Sequence, residues 1–141
     1  MILYLDTSSI VKLYIEEHFS RSVEQWIGDA ESSFTCNITY PETLSAFSRR
    51  RRDKDVTEAA FQRAVHDFKD DWLTLGILPV HEKKAGDLVL KYGLRGFDAV
   101  HLAAALTLHK KSGSLPYAFS SFDQRLNEAA EKEGLPVIYP E

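Results

Sequence analysis

Five short apolar runs, Ile2–Leu5, Phe34–Asn37, Leu75–Val80, Tyr117–Ser121 and Val137–Tyr139, punctuate the chain, and helical patterns fill the intervals between them. Runs of this length suit buried strands, and strands that alternate with helices pair in parallel through right-handed crossovers. The helical patterns cover Ser8–Glu16, Ser20–Ala30, Pro41–Arg52, Thr57–Trp72, Glu82–Tyr92, Asp98–Lys111 and Asp123–Glu133. This order predicts an α/β fold, a three-layer α/β/α sandwich with a mainly parallel sheet. With 141 residues, no internal repeat and no Pro- or Ser-rich linker, residues 1–141 read as a single domain.

The segment Ala99–Leu108 is apolar nearly all round, so its helix is expected against the sheet and under other helices. Gly93 and Gly96 in YGLRGFD read as a helix C-cap and a turn, because they lack both the glycine spacing and the Lys-Ser/Thr pair of a phosphate-binding loop. The apolar start is broken by Asp6 and Lys12 and has neither a basic leader nor a small-residue cleavage site, which argues against a targeting peptide. No stretch reaches the roughly 20 apolar residues of a membrane span. Cys36 is the one cysteine and lies in an apolar run, which suits a reducing compartment, with the cytoplasm as the expectation.

Seventeen Lys and Arg face 21 Asp and Glu, a net charge of −4, which excludes a protein that coats nucleic acid by bulk attraction. Within that acidic background Arg49, Arg50, Arg51 and Arg52 stand together, with Lys54 just beyond. One reading is a solvated helix end whose cations offset the macrodipole; the other is a patch that contacts phosphates beside a site on the same helix.

Four carboxylates fall at element ends. Asp6 follows the first strand, Asp123 the fourth, and Glu42 and Asp98 open helices. Each has a local explanation: Asp6, Asp98 and Asp123 as N-caps, and Glu42 as the partner of Thr39 in a capping box. Their joint placement says more. In a parallel sheet the strand carboxyl ends and the following helix N-termini share one edge, where α/β proteins bind ligands. Four carboxylates gathered there repel unless a cation neutralises them, and an all-oxygen set without cysteine selects Mg²⁺ or Mn²⁺ over zinc. With helix N-termini adding positive dipole ends, the site suits phosphodiester chemistry.

Thr7 and Ser8, beside Asp6, and Ser121, two residues before Asp123, are placed either to orient carboxylates or to cap backbone amides. His101, one turn after Asp98, reads as a hydrogen-bonded core histidine rather than a ligand, and His18, His66, His81 and His109 show no zinc spacing.

Taken together, LYLDTSSIVKLYIEE, TYPETLSAFSRRRR, LRGFDAVHLAAAL and FSSFDQRLNEAA resemble the PIN-domain ribonucleases, in particular the VapC-like toxins of prokaryotic toxin–antitoxin pairs. The resemblance runs from Met1 to about Pro140 and carries the family's acidic metal-binding set onto Asp6, Glu42, Asp98 and Asp123. Ser121 stands where the family often has threonine. The resemblance implies endonucleolytic cleavage of RNA, a homodimer, and inhibition by a cognate antitoxin that covers the acidic groove.

Two other readings of such a strand-end cluster fit poorly. A phosphoacceptor signalling domain needs a lysine at a late strand end, where Tyr117–Ser121 offers only serines. A phosphatase with an aspartate nucleophile needs an acidic residue at position 8, which is Ser8. A catalytically silent RNA-binding or scaffold module is a further alternative, separated from the enzyme by turnover on RNA.

Overall fold

The computed structural model describes residues Met1 to Glu141. The element order is β1 (Ile2–Leu5), α1 (Thr7–Val11), α2 (Ser20–Asp29), β2 (Ser32–Cys36), α3 (Thr39–Arg52), α4 (Glu58–Trp72), β3 (Gly76–Leu78), α5 (Glu82–Tyr92), α6 (Gly96–Ser112), β4 (Tyr117–Ser120), α7 (Gln124–Lys132) and β5 (Val137–Ile138). The five strands form one sheet in the order β3-β2-β1-β4-β5, and every pairing is parallel.

Period-2 alternation along the strands feeds two cores. On one face Leu3, Leu5 and Ala118 pack with Ile10, Val23, Phe47, Phe61 and Phe68 from α1 to α4. On the other, Tyr4, Tyr117 and Phe119 pack with Leu88, Leu102, Leu126 and their neighbours from α5 to α7. Helices therefore cover both faces, giving the three-layer α/β/α sandwich read from the alternating pattern. Helix α6 is the most enclosed: Ala99, Leu102, Ala103, Ala104 and Ala105 are all buried, as its all-round apolar sequence demands.

Several boundaries differ from the sequence reading. Helix α1 stops at Val11 rather than Glu16, because the amides of Lys12, Leu13 and Tyr14 turn to carbonyls three residues back and the chain tightens out of the α form. Helix α3 begins at Thr39, which puts Pro41 in the first turn, where its missing N–H costs no helical bond. Helix α6 begins at Gly96, two residues before Asp98. Strand β2 begins at Ser32, where the polar pair Ser32 and Ser33 hid its start.

The chain leaves β1 toward β2 and β3 on one side, and returns through β4 to β5 on the other, so the strand order reverses at β1. Helices diverge at such a reversal and leave a crevice at the strand carboxyl ends. No helix is long and apolar enough to cross a membrane.

Candidate active site

That crevice is a groove of about 800 Å³, and Asp6, Glu42, Asp98 and Asp123 all line it. Asp6 ends β1 and caps α1, Glu42 lies in the first turn of α3, Asp98 in the first turn of α6, and Asp123 caps α7. Four helix N-termini thus converge on one opening.

Asp6 is 3% exposed. Its Oδ1 accepts from the Ser9 amide at 3.1 Å and from the Ser8 hydroxyl at 2.6 Å, and Ser8 Oγ in turn accepts from the Phe122 amide at 2.9 Å. Ser8 thereby ties the carboxylate to the loop after β4. Asp123 is held by its own loop: Ser121 Oγ accepts its amide at 3.0 Å, while Asp123 Oδ1 accepts from the Leu126 amide at 2.9 Å. In both aspartates Oδ1 caps a helix while the residue lines the groove, so capping and site placement coexist.

The capping-box reading of Glu42 fails. Thr39 turns its hydroxyl inward to Thr35 Oγ1 at 2.7 Å, α3 has no side-chain cap, and Glu42 faces the groove. Glu42 Oε1 accepts from the Thr7 hydroxyl at 2.6 Å and lies 2.9 Å from His101 Nε2. A proton on Nε2 and a lone pair on Nδ1 satisfy the imidazole, since Nδ1 lies 2.8 Å from the Tyr4 hydroxyl. His101 is the buried, hydrogen-bonded residue its position suggests, and its partner is a groove carboxylate. Burial works to raise the Glu42 pKa, but the hydrogen bonds from His101 and Thr7, with the charge of Arg95, outweigh it and hold the carboxyl below its ordinary value.

Asp98 is no cap either; Arg95 occupies the N-cap position of α6. The Arg95 guanidinium reaches Asp98 Oδ2 at 3.0 Å through Nε and Asp123 Oδ2 at 3.1 Å through Nη2, wedging between the two carboxylates. Burial raises the Asp98 pKa, Arg95 opposes this, and the charges of Asp123 and Asp6 push it further up, so the net direction is upward. The field at Asp98 is one a cation relieves, and an exposed arginine now partly supplies it. As the side chains lie, no three His, Cys, Asp or Glu residues stand close enough to hold a metal ion. The hydrogen bonds above explain why: Glu42 is drawn to Thr7 and His101, and Asp98 and Asp123 to Arg95. The donor set itself, carboxylate oxygens at a mutually repelling cluster, fits a hard divalent cation.

The arginine block divides. Arg49 and Arg50 line the groove, whereas Arg51 and Arg52 do not. Arg50 is held by Glu17 at 2.8 Å and by Asp55, and Arg51 by Glu58 at 3.4 Å with its guanidinium over the Phe61 ring. Arg95, Lys12 and Phe97 also line the groove and were not singled out from sequence. The available signal for Arg95 was its position three residues before Asp98, a spacing that brings side chains together on a helix.

A fold of this topology with acidic residues at the carboxyl edge of the sheet defines a class, and the comparisons agree: the family described as PIN domain matches residues 3–132, and the chain belongs to it. Among its relatives, ribonuclease VapC45 of Mycobacterium tuberculosis is 30% identical over 96% of this chain and 94% of its own. Among solved structures, PAE2754 from Pyrobaculum aerophilum superposes with a TM-score of 0.68 at 16% identity, covering 97% of this chain and 89% of that one. A toxin–antitoxin complex from Klebsiella pneumoniae superposes with a TM-score of 0.65 at 17% identity, covering 99% of this chain and 98% of that one. At these identities the superpositions show the shared fold.

Proposed function

We propose that this chain is a Mg²⁺- or Mn²⁺-dependent endoribonuclease, the toxin of a toxin–antitoxin pair. In this reading it works in the cytoplasm as a single nuclease domain, forms a homodimer, and is neutralised by a cognate antitoxin covering the acidic groove. The observation that carries the reading is the convergence of Asp6, Glu42, Asp98 and Asp123 on one groove, in a PIN-family chain whose relatives include proteins named ribonuclease VapC.

Asp6 and Asp98, with Glu42 and Asp123, are the residues that would hold the divalent ion. Bound there, it supplies Lewis-acid stabilisation of the charge developing on the scissile phosphate and acidifies the attacking water. The chain's own groups fix the carboxylates. Ser8 orients Asp6, Thr7 and His101 keep Glu42 ionised and aimed, and Ser121 holds the backbone of Asp123. The hydroxyls of Thr7 and Ser8 donate to Glu42 and Asp6, so their part in this reading is to orient those carboxylates. Arg49 and Arg95 face the groove as cations for the flanking phosphates, contacts that position RNA without reading its bases.

The test is direct. Asp6→Asn and Asp98→Asn each abolish Mg²⁺-dependent RNA cleavage while leaving the circular dichroism spectrum unchanged. Full activity in either variant overturns the four-carboxylate site, and divalent binding without turnover in the wild-type chain points to a silent RNA-binding module instead.

A further inference from the structure

Beside the acidic groove lies a second hollow of about 400 Å³, which shares Thr7, Glu42, Arg49 and Phe97 with the groove as a common wall. Its own floor and side are Ile38, Pro41 and Ser45. Pro41, Ser45 and Arg49 recur every four residues along α3, so one stripe of that helix faces the hollow. Across from them Phe97, in the first turn of α6, is 58% exposed although it adjoins Asp98. Five of the other phenylalanines and Phe34 lie in or pack against the two cores and Phe19 stacks on Phe122, whereas Phe97 has neither kind of contact. Arg49 likewise takes no part in the ion pairs that engage Arg50 and Arg51. An unengaged aromatic face, an unengaged guanidinium and a hydroxyl therefore meet at the edge of a site proposed to handle phosphodiesters.

We infer that this hollow is a nucleobase subsite: Phe97 stacks an unpaired base of the RNA next to the scissile phosphate, and Arg49 holds the phosphate that joins them. The inference rests on the ribonuclease reading and adds a base-binding position to it. Stacking on an aromatic face is the usual means of holding single-stranded nucleic acid, and it tolerates every base because each has a π-face. The Ser45 hydroxyl, exposed on the same stripe, can donate or accept, so it supplies whatever base-edge discrimination the hollow has. A paired base could not enter, since its face is already covered by its neighbours in the helix. The hollow thus selects loops and single strands over duplex.

The experiment compares binding of two labelled oligomers of equal length and charge, an oligouridylate and an abasic ribose-phosphate chain, by fluorescence anisotropy in EDTA so that no cleavage intervenes. The wild-type chain is expected to bind the oligouridylate about tenfold more tightly than the abasic oligomer. Phe97→Ala and Phe97→Leu lose that preference while keeping the abasic affinity, and Phe97→Trp retains it. Because Phe97 belongs to neither core, circular dichroism of all three variants is expected to match the wild type. Equal binding of the two oligomers by the wild-type chain, the result expected if the hollow seats an apolar protein side chain instead, overturns the base subsite alone. Absence of binding to either oligomer, in EDTA and with Ca²⁺ supplied as the divalent ion alike, overturns the ribonuclease reading with it.

Discussion

His101 Nε2 lies 2.9 Å from Oε1 of Glu42, and this contact joins the middle of a buried helix to a groove carboxylate. Behind it Tyr4 fixes the other ring nitrogen at 2.8 Å, so a residue of the central strand sets the direction of the imidazole and the imidazole sets that of Glu42. Replacing His101 by Phe removes both bonds at similar volume. With burial then unopposed by His101, the Glu42 pKa rises. Partners of this kind typically contribute 10–100-fold to metal affinity or activity, so Mn²⁺ affinity measured by calorimetry and RNA turnover are both expected to fall by about that factor. The Tyr4 hydroxyl is left unpaired in the core, at a cost of about 1–3 kcal/mol in denaturant unfolding. Adding Tyr4→Phe restores part of that stability and none of the activity.

Arg95 is the counterweight on the other side of the groove. Its side chain is 76% exposed, yet it spans Asp98 and Asp123 and competes with any ion that needs them. Exposed pairs of this kind are worth up to about 1 kcal/mol, so Arg95→Ala is expected to tighten Mn²⁺ binding by up to about fivefold. Its RNA affinity falls at the same time, because a groove cation has been lost. Weaker Mn²⁺ binding in Arg95→Ala would mean that Arg95 organises the carboxylates instead of competing for them.

Glu17 braces the groove wall through both oxygens, each 2.8 Å from a cation, Oε1 from Lys12 Nζ and Oε2 from Arg50 Nη1. Burial alone would raise its pKa, but the bonds to Lys12 and Arg50 lower it below the ordinary value of 4.5. A carboxyl depressed in the folded state contributes stability that is present above the unfolded-state pKa and lost as the pH falls through the folded-state pKa. The wild-type chain is therefore expected to melt above Glu17→Gln at neutral pH, and the two melting temperatures converge as the pH drops below 4.5. A difference independent of pH would assign the effect to packing.

How much of this was legible in the sequence depends on the range of the interaction. Asp6 and Asp123 could be placed because each comes within two residues of the end of an apolar run, and strand order then decides that their ends are neighbours. Their capping role was also correctly read, and it did not compete with the groove, since a carboxylate has two oxygens. The capping-box alternative for Glu42 fails because the local pattern Thr-x-x-Glu carries no information about Thr35, which draws Thr39 inward from the adjoining strand. The Tyr4–His101 bond spans 97 positions and has no periodic signature at all. The end of α1 was missed for a related reason: an apolar helical pattern continues through Ile15, while the backbone has already tightened after Val11.

Gly76 shows a constraint of the opposite kind, one residue opposing one residue. It pairs with Phe34 in the β2–β3 register, and the Phe34 ring lies where a side chain on Gly76 would stand. Gly76→Ala forces the ring or the edge strand to move. Overpacking of this sort costs about 1–3 kcal/mol, to be read from the denaturation midpoint. Since β3 is the sheet edge farthest from Asp6 on that side, the loss is expected in stability without a change in turnover at permissive temperature.

The four consecutive arginines offer a sharper test, because the fold has given them different surroundings. Arg49 lines the groove with no ion pair, Arg50 is braced by Glu17 and Asp55, Arg51 by Glu58 and Phe61, and Arg52 is exposed away from the groove. If phosphates are held in the groove, only a residue facing it releases counterions from a bound strand. Each such contact contributes about 0.7 to the slope of log affinity against log salt for a single strand. Arg49→Ala is therefore expected to weaken oligoribonucleotide binding and to reduce the slope by about 0.7. Arg52→Ala removes the same charge from the same helix and is expected to change neither. Equal effects from the two substitutions would mean that the block acts through its summed charge, and the groove geometry would then have no part in holding the RNA backbone.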